Sequence, residues 1–483
     1  MKRKLYEKGF KKETEKGEVN VRKWMPLLTA VASVTVLAAC GAGQSDSSAP
    51  NESAASEAEK TVIKVWTMNR ADQDYMKSKI EQFNNENPDH IEIDYQIYAE
   101  NFTQSLDIAM ATNEGPDVFF DGHTAFNDHL PKGNLAPLDD YLTPEFKARF
   151  GEGAFIEGLN MVDGKIYSLP AISTTPRLFY NKAIFEKAGI AAPPKTVDEM
   201  VQIAKTITEK LKGEGIYGFA ANLKNPAQAY SRSIDYILMR SGGVEAGYDF
   251  KTGAYDFSGY KPILEAYRDL FTSGAAFPGS ESLDIDPLRT QFAAGKIGMY
   301  ISWNHSEPGV YLNQFPTEEP WDVAPLPTID GSEAGSQHLN LAGRWFLMNA
   351  NSQHKDEAWK VMEFLYSDDL LSGYHTNGLG LVMVPSVLEK AESPETIQRW
   401  PGLALTEKDK IWPPLPTGVK PEGNDMYYVF NQIVLGGLDI DQGIADLNAR
   451  YNAAYEKAVQ DGVAKKIQYP EFDPANPGAV FME

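Results

Sequence analysis

The sequence predicts an α/β protein of two lobes, each built on a doubly wound, mostly parallel sheet that is flanked by helices. Three observations lead to this fold class. About 420 residues follow an N-terminal targeting signal, which is more than one hydrophobic core normally holds. Strand and helix patterns alternate at the start of the folded region. Prolines at 170 and 176 then suit an extended crossing between lobes.

Residues 1–39 are predicted to be a signal peptide. A basic pair at 22–23 precedes an uncharged run over 25–39, which is shorter than the roughly 20 residues that span a bilayer and suits a signal h-region. The run ends in Leu-Ala-Ala-Cys-Gly at 37–41, which resembles the bacterial lipobox, whose Cys is lipidated and becomes the first mature residue. Cys40 is the only cysteine, so an intrachain disulfide is excluded.

Residues 40–60 are predicted to be a lipidated, flexible tether, because small and polar residues dominate and no large apolar side chain occurs. Lys and Glu are mixed before Val21, which is unusual for a signal peptide, and one hypothesis is that residues 1–20 are not translated. The net charge of −22 at pH 7 argues against nucleic-acid binding, which needs basic patches. No second apolar run is long enough to span a membrane.

The first lobe is predicted to comprise residues 61–173 and 345–381. Its start alternates strand, helix, strand, helix and strand, which implies parallel pairing. Ligands of such sheets lie beyond the C-terminal ends of the strands, here residues 66–70 and 121–123. The predicted elements are a strand at 62–66, a helix from Asp72, a strand at 91–97, a helix around 102–109 and a strand at 117–120.

The second lobe is predicted to comprise residues 174–344 and 382–483. An apolar stripe from Val197 to Leu211 predicts a core helix, which a Thr196/Glu199 capping box begins. Gly189 is predicted to end a short helix with a positive φ. Further predicted elements are strands at 178–180 and 216–220, a helix at 230–239 with Tyr230 near its start, a hairpin at 249–257, a helix from Pro262, a helix–Gly–strand unit at 291–304 and a helix at 442–459.

Four short motifs occur in order between residues 163 and 200. They are Tyr-Ser-Leu-Pro at 167–170, Tyr-Asn-Lys at 180–182, Ala-Gly-Ile at 188–190 and Pro-Pro-Lys-Thr at 193–196. With the segments 291–304 and 352–365, this order resembles the extracellular solute-binding proteins of carbohydrate ABC transporters, the family that includes maltose-binding protein. The resemblance covers roughly residues 60–460.

The resemblance implies a periplasmic-binding-protein-like fold with a ligand cleft between the lobes. It further implies a membrane-anchored receptor that captures a sugar or oligosaccharide and delivers it to ABC permease subunits. We expect a monomer, held through lipidated Cys40 on the extracytoplasmic face of the membrane of a Gram-positive bacterium.

Candidate ligand contacts are polar and aromatic residues at strand ends and crossings, because sugars present hydroxyls at their rims and C–H groups on their faces. Alternative structural roles remain: core packing for Trp66 and Trp303, and helix capping for Asp121. Two arginines either bridge the crossings or meet a carboxylate-bearing sugar. The candidates are Trp66, Asp121, Arg177, Tyr230, Trp303, Asn304, Arg344, Trp345 and Trp412.

The alternative class is a secreted carbohydrate-active enzyme, either a hydrolase or a lyase. With 67 carboxylates, a glycosidase pair is compatible with the sequence. However, no nucleophile elbow, phosphate loop or zinc pattern occurs, and Asp284-x-Asp286 is too sparse for a calcium loop. We therefore predict no catalytic residue, cofactor or metal. A third reading is a peptide or metal receptor.

Overall fold

The computed structural model describes residues 60–98, 101–121, 125–151, 153–340 and 343–481. The predicted signal peptide, Cys40 and nearly all of the predicted tether therefore lie outside the described residues. The described part forms two four-stranded sheets, each packed against its own hydrophobic core. Among these residues, no helix combines the length and apolar character needed to cross a membrane.

The first sheet has the strand order Phe346–Met348, Val118–Phe120, Thr61–Thr67 and Ile91–Ile97. The last three strands are parallel, as the alternation of strand and helix predicts. Phe346–Met348 returns from far along the chain and pairs antiparallel to Val118–Phe120. The parallel strands thus end at one edge, where Met68 and Asp121 follow them.

Helices pack against the first sheet and share one continuous core with it. Met76 and Ile80 of the first helix lie in this core, in agreement with the predicted apolar face. The helices of this lobe are Gln73–Glu86, Phe102–Ala111, Ala125–His129, Pro144–Ala148, Lys355–Leu365, Asp368–Thr376 and Pro385–Leu388. Its short strands are Met161–Val162 and Lys165–Ile166.

Three chain segments lie side by side where the two sheets are joined. Ile172–Ser173 pairs antiparallel with Leu381–Val382, and Thr174 forms an antiparallel bridge with Asn340. The first of these segments then continues as the crossing strand, Pro176–Asn181. The two prolines predicted this extended stretch correctly, since neither can donate a backbone hydrogen bond.

The second sheet has the order Trp321–Ala324, Pro176–Asn181, Ile297–Trp303 and Tyr217–Phe219. The crossing strand is antiparallel to both neighbours, and only the Ile297–Trp303 to Tyr217–Phe219 pair is parallel. The expectation of a mostly parallel second sheet is therefore wrong. A strand buried on both faces has the same continuous apolar pattern whichever direction its neighbours run, so the sequence did not reveal the pairing.

The predicted core helix of the second lobe spans Val197–Leu211, and Thr196 and Glu199 both cap its N-terminus. Thr196 Oγ1 accepts from Glu199 N at 3.0 Å, and Glu199 Oε2 accepts from Lys195 N at 2.7 Å. Gly189 ends the preceding helix at φ 74°. The helices of this lobe are Lys182–Ala188, Val197–Leu211, Pro226–Ser231, Ile234–Arg240, Lys261–Thr272, Ile285–Ala293, Ser306–Gly309, Glu395–Arg399, Met426–Val434 and Ile440–Gln460.

Two details of this lobe correct the sequence analysis. The single helix predicted at 230–239 is two helices, Pro226–Ser231 and Ile234–Arg240, so Tyr230 lies near the end of the first. The predicted lobe boundary at residue 382 is also too early. Val384 and Val387 pack in the core of the first sheet, because the Pro385–Leu388 helix contacts Asp368–Thr376.

The C-terminal tail packs on the second core, a role that the sequence analysis did not assign. Phe472 lies against Trp412 and Phe250, with ring centroids 5.3 and 5.0 Å apart. Tyr469 N donates to Phe250 O at 2.7 Å. The remaining short strands pair as Tyr248–Asp249 with Ala254–Tyr255, the predicted hairpin, and Gln337–His338 with Asp409–Lys410.

Candidate functional site

A cavity of about 770 Å³ lies between the two sheets and has residues of both lobes in its wall. The first lobe contributes the residues that follow its parallel strands, which is the edge that strand topology selects. The second lobe contributes most of the wall. Its main side chains are Arg232, Asp235, Tyr236, Glu245, Arg289, Trp303 and Tyr427, facing Met68, Asn69, Arg70, Phe102 and Phe120 of the first lobe.

A tight turn after the strand Thr61–Thr67 brings Asn69 and Arg70 to the cavity. Asn69 N donates to Thr67 Oγ1 at 3.1 Å, and Asn69 Oδ1 accepts from Ala71 N at 3.2 Å. Asn69 Nδ2 donates to Asp72 Oδ2 at 2.8 Å. Burial raises the pKa of Asp72 to about 7. The turn is therefore fixed by short-range hydrogen bonds that Asn and Asp side chains favour.

Trp303 ends the central strand of the second sheet and presents a half-buried ring to the cavity. Its indole meets the Tyr236 ring edge-on, with centroids 5.8 Å apart. The next residue, Asn304, holds this strand end in place. Asn304 Oδ1 accepts from Thr175 N at 3.1 Å, and Asn304 Nδ2 donates to Leu403 O at 2.8 Å. An aromatic surface of this kind suits the apolar face of a sugar ring.

One side of the cavity is rich in arginine. Arg289 binds the buried carboxylate of Glu307 through Nε and Nη2, at 3.1 and 2.7 Å. Tyr300 Oη also donates to Glu307, at 2.8 Å. Burial alone would raise the pKa of Glu307, but Arg289 and the hydrogen bonds outweigh it and lower that pKa. The Arg289–Glu307 pair is thus a compensated, ionised pair at neutral pH.

Arg70 crosses the cavity to the second lobe. Its Nη2 lies 3.0 Å from Asp286 Oδ2, and Asp286 also accepts from Arg289 Nη1 at 3.1 Å. Arg70 and Asp286 are both partly exposed, so their ion pair is screened by water and contributes little energy. It is nevertheless a direct polar contact between residues of different lobes.

Arg232 lies on the same side but is buried, with 5% of its surface exposed. Its Nη2 donates to Asn222 Oδ1, while its Nε finds no hydrogen-bond acceptor among the described residues. Burial lowers the Arg232 pKa to about 10, which leaves the guanidinium charged at neutral pH.

The cavity wall also carries two carboxylates, Asp235 and Glu245. Asp235 accepts from Tyr260 Oη at 2.6 Å and also from Tyr427 Oη. Burial raises the pKa of Asp235 to about 7. Glu245 Oε1 lies 2.8 Å from His338 Nδ1, and its other oxygen has no hydrogen-bond partner in the described part of the chain.

Of the nine predicted ligand contacts, Trp303 lies in the cavity wall. Four others are packed in hydrophobic cores: Tyr230 and Trp412 in the second lobe, Trp66 and Trp345 in the first. Trp412 Nε1 donates to Ser336 Oγ at 3.1 Å, and Tyr230 Oη donates to Asn431 Oδ1 at 3.0 Å. The hydrogen-bonding groups of these two aromatic residues are therefore engaged inside the protein.

The remaining four make structural polar contacts. Asp121 accepts from Phe126 N at 2.8 Å, as a helix cap does, and from Arg344 Nε at 2.9 Å. Arg177 binds Asp409 through two nitrogens and also donates to Gly402 O and Ala404 O. Both arginines thus face partners within the chain, which removes the basis for expecting them to meet a sugar carboxylate.

Sequence reasoning missed Arg232, Asp235, Tyr236 and Glu245. A signal for two of them exists, because Asp235 and Tyr236 interrupt an apolar helix over 234–240 with polar groups that need partners. Tyr427 also lines the cavity. Among the described residues, no group of three His, Cys, Asp or Glu side chains is arranged to hold a metal ion.

The chain belongs to the bacterial extracellular solute-binding protein family, whose model matches residues 69–370. This family consists of extracytoplasmic binding proteins rather than enzymes, and its relatives include sugar-binding proteins of ABC transporters.

Two relatives illustrate the likeness. The diacetylchitobiose binding protein DasA of Streptomyces coelicolor is 31% identical over 364 residues, which cover 73% of this chain and 80% of that protein. A putative binding protein of Brucella abortus is 31% identical over 277 residues, which cover 56% of this chain and 63% of the relative.

Among solved structures, the GacH receptor of Streptomyces glaucescens superposes with a TM-score of 0.62 at 22% identity, covering 82% of this chain and 99% of that one. The sugar-binding protein MalE of Xanthomonas citri gives 0.60 at 23% identity, with 83% and 99% coverage. These likenesses establish the two-lobe, periplasmic-binding-protein-like fold.

Proposed function

We propose that this protein is a membrane-anchored receptor that captures a sugar or oligosaccharide between its two lobes and delivers it to an ABC permease for import. The observation that carries the proposal is the composition of the cavity wall. An aromatic pair, Trp303 and Tyr236, lies beside polar side chains from both lobes. A sugar site requires aromatic rings that cover the C–H faces of the sugar and paired polar groups that bind its hydroxyls.

In this proposal, the two lobes close about the crossing segments when the ligand is captured. The antiparallel contacts at Ile172–Ser173 and Thr174 join the lobes, and Arg70–Asp286 bridges the cavity. A ligand that contacts both walls favours the closed arrangement by its differential affinity for the two states. The closed form is then the one that the permease recognises, with one protomer acting alone.

A saccharide screen tests the proposed function. The chain from residue 40 onward is heated with mono- and oligosaccharides, and a ligand at 100 times its dissociation constant adds about 2.7 kcal/mol to the free energy of unfolding. We expect stabilisation by one saccharide class and recovery of that saccharide with unchanged mass. Cleavage of the saccharide would support the carbohydrate-active enzyme instead. Stabilisation by peptides alone would overturn the sugar assignment.

We also propose anchoring through a lipidated Cys40 after removal of residues 1–39, since the lipobox-like run precedes a polar tether. Two or more acyl chains give stable membrane attachment, whereas one does not. Cys40→Ser should release the protein from the membrane fraction and abolish labelling with radioactive palmitate. Retention of the variant in membranes would contradict the proposal. The cell envelope of a Gram-positive bacterium fits this arrangement.

A further inference from the structure

We infer that the cavity is built for a saccharide carrying one anionic oxygen group, a carboxylate or a sulfate ester, which Arg232 binds. This inference rests on the proposed function, because it names the ligand class of the same cavity. The sequence analysis raised an acidic sugar through Arg177 and Arg344, both of which the structure places elsewhere. Arg232 is a different residue with a different environment.

The first argument is the unmet bonding capacity of Arg232. Arg232 is 95% buried in the cavity wall. Its Nη2 donates to Asn222, yet its Nε has no acceptor among the described residues. A buried donor without an acceptor costs about 1–3 kcal/mol, more when the group is charged. An anionic ligand group bound to the guanidinium offsets that cost through charge-assisted hydrogen bonds.

The second argument is the balance of charge on this side of the cavity. Arg70 and Arg289 share the carboxylates of Asp286 and Glu307, so two positive and two negative charges compensate each other. Arg232 is in no ion pair with these or other described residues, and one positive charge is left over. A neutral hydroxyl would accept a hydrogen bond from Arg232 but leave its positive charge uncompensated. A monoanion accepts the hydrogen bond and also compensates the charge.

The two carboxylates of the cavity wall, Asp235 and Glu245, form no ion pair with Arg232. Asp235 accepts from two tyrosine hydroxyls, and Glu245 pairs with His338. Their remaining acceptor capacity suits hydroxyls of the saccharide. Arg232 therefore recognises the anionic group, and Asp235 and Glu245 recognise hydroxyls of the uncharged part.

The test compares each acidic saccharide with a neutral copy of the same shape. Titration calorimetry on the chain from residue 40 onward uses uronate-terminated oligosaccharides, their methyl esters and sulfated disaccharides. We expect the free acid or the sulfate ester to bind about tenfold to a hundredfold more tightly than the neutral copy. The preferred compound shows whether the group is a carboxylate or a sulfate.

Arg232→Gln should remove this preference while the ester keeps its affinity within about threefold. Arg450→Gln is the matched control, because Arg450 is not among the residues of the cavity wall and pairs with Asp446 of its own helix, so it should change the affinity for neither acid nor ester. Circular dichroism confirms that each variant is folded, and Arg232→Lys, which keeps the charge, should retain part of the preference. If Arg232→Gln does not fold, the comparison of acid and ester on the unaltered chain still tests whether the cavity prefers an anionic saccharide.

Equal affinity for acid and ester, or an acid preference that persists in Arg232→Gln, overturns the inference while leaving a saccharide receptor intact. Binding of neutral saccharides alone has the same meaning. Absence of binding by every saccharide overturns the proposed function itself, so the two failures are distinguishable.

Discussion

Two buried arginines of the second lobe, Arg177 and Arg232, have opposite surroundings. Arg177 lies between the crossing strand and the 402–409 segment, where its Nη2 is 2.9 Å from Asp409 Oδ2 and further donors reach Gly402 O and Ala404 O. Arg232 lies in the cavity wall with no carboxylate partner among the described residues and an Nε without an acceptor. The first charge is neutralised within the fold, and the second is not.

The carboxylates of the two regions differ in the same way. Burial tends to raise the pKa of Asp409, but Arg177 outweighs burial and lowers it. Asp235, in the cavity, has two tyrosine hydroxyls and no arginine, and burial raises its pKa to about 7. The Arg177–Asp409 pair is therefore compensated within the second lobe, whereas Arg232 and Asp235 of the cavity wall have no ion-pair partner among the described residues.

The largest expected effect is the loss of stability when the Arg177–Asp409 ion pair is broken. Arg177→Met should lower the free energy of unfolding by about 3–5 kcal/mol, because it leaves Asp409 buried and unpaired. Urea unfolding measures this loss. Replacing both partners, Arg177→Met with Asp409→Leu, should restore most of it. Lys457→Met, which removes an exposed helical ion pair, is the control and should cost under about 0.5 kcal/mol.

A smaller effect is expected in the pH dependence of stability. Asp235 has a folded pKa of about 7 against an ordinary value of 3.8, so the native state holds a proton that the unfolded chain has released between these values. Its contribution to the free energy of unfolding therefore falls as pH rises from about 4 to 7, by at most about 1.4 kcal/mol per pH unit.

Asp235→Asn should flatten that part of the stability profile, as denaturant unfolding at a series of pH values would show. The slope should shrink rather than vanish, because Asp72 keeps its own pKa of about 7. Identical slopes for the variant and the unaltered protein would mean that Asp235 is ionised in the folded state throughout this range.

Trp303→Ala should weaken saccharide binding by about 1–2 kcal/mol, on the order of tenfold, because one stacking face is lost. Calorimetric titration with the saccharide found in the screen measures it. Trp412→Ala is the contrasting variant: its ring is fully buried, so it should lose about 3–5 kcal/mol of stability while the folded fraction binds normally. The reverse pattern would assign Trp303 to the core.

The smallest effect concerns the contact across the cavity. Arg70→Gln removes the ion pair with Asp286 and should lower affinity only a few-fold, since partly exposed pairs contribute about 0–1 kcal/mol. Small-angle scattering with ligand should show a less compact particle. Arg450→Gln, which removes an ion pair within one helix, should change neither the affinity nor the compactness. An unchanged affinity in Arg70→Gln would show that the contact plays no part in closure.

Much of the local structure followed from sequence patterns alone. The stripe over Val197–Leu211 fixed a helix whose bounds the structure confirms, and the alternation over Ile91–Ile97 fixed a strand. Gly189 ended its helix with a positive φ as expected. These features depend on interactions between residues a few positions apart, and such interactions can be predicted from the local sequence.

The candidate site was less predictable for a physical reason. Trp345 and Trp412 resemble ligand-binding aromatics in sequence, yet aromatic side chains also dominate hydrophobic cores, where these two lie. Arg177 and Arg232 are both arginines near apolar runs, and nothing local shows that only the first meets a distant carboxylate, at position 409.

By itself, the sequence determined the α/β class, the helix and strand order, the extended crossing and the family resemblance, because periodicity, caps and prolines act over short distances. The tertiary structure alone decided the antiparallel neighbours of the crossing strand, the extent of the first lobe and the identity of the cavity wall. Those properties depend on which residues, hundreds of positions apart, come into contact. The charge balance that leaves Arg232 uncompensated is a property of that kind.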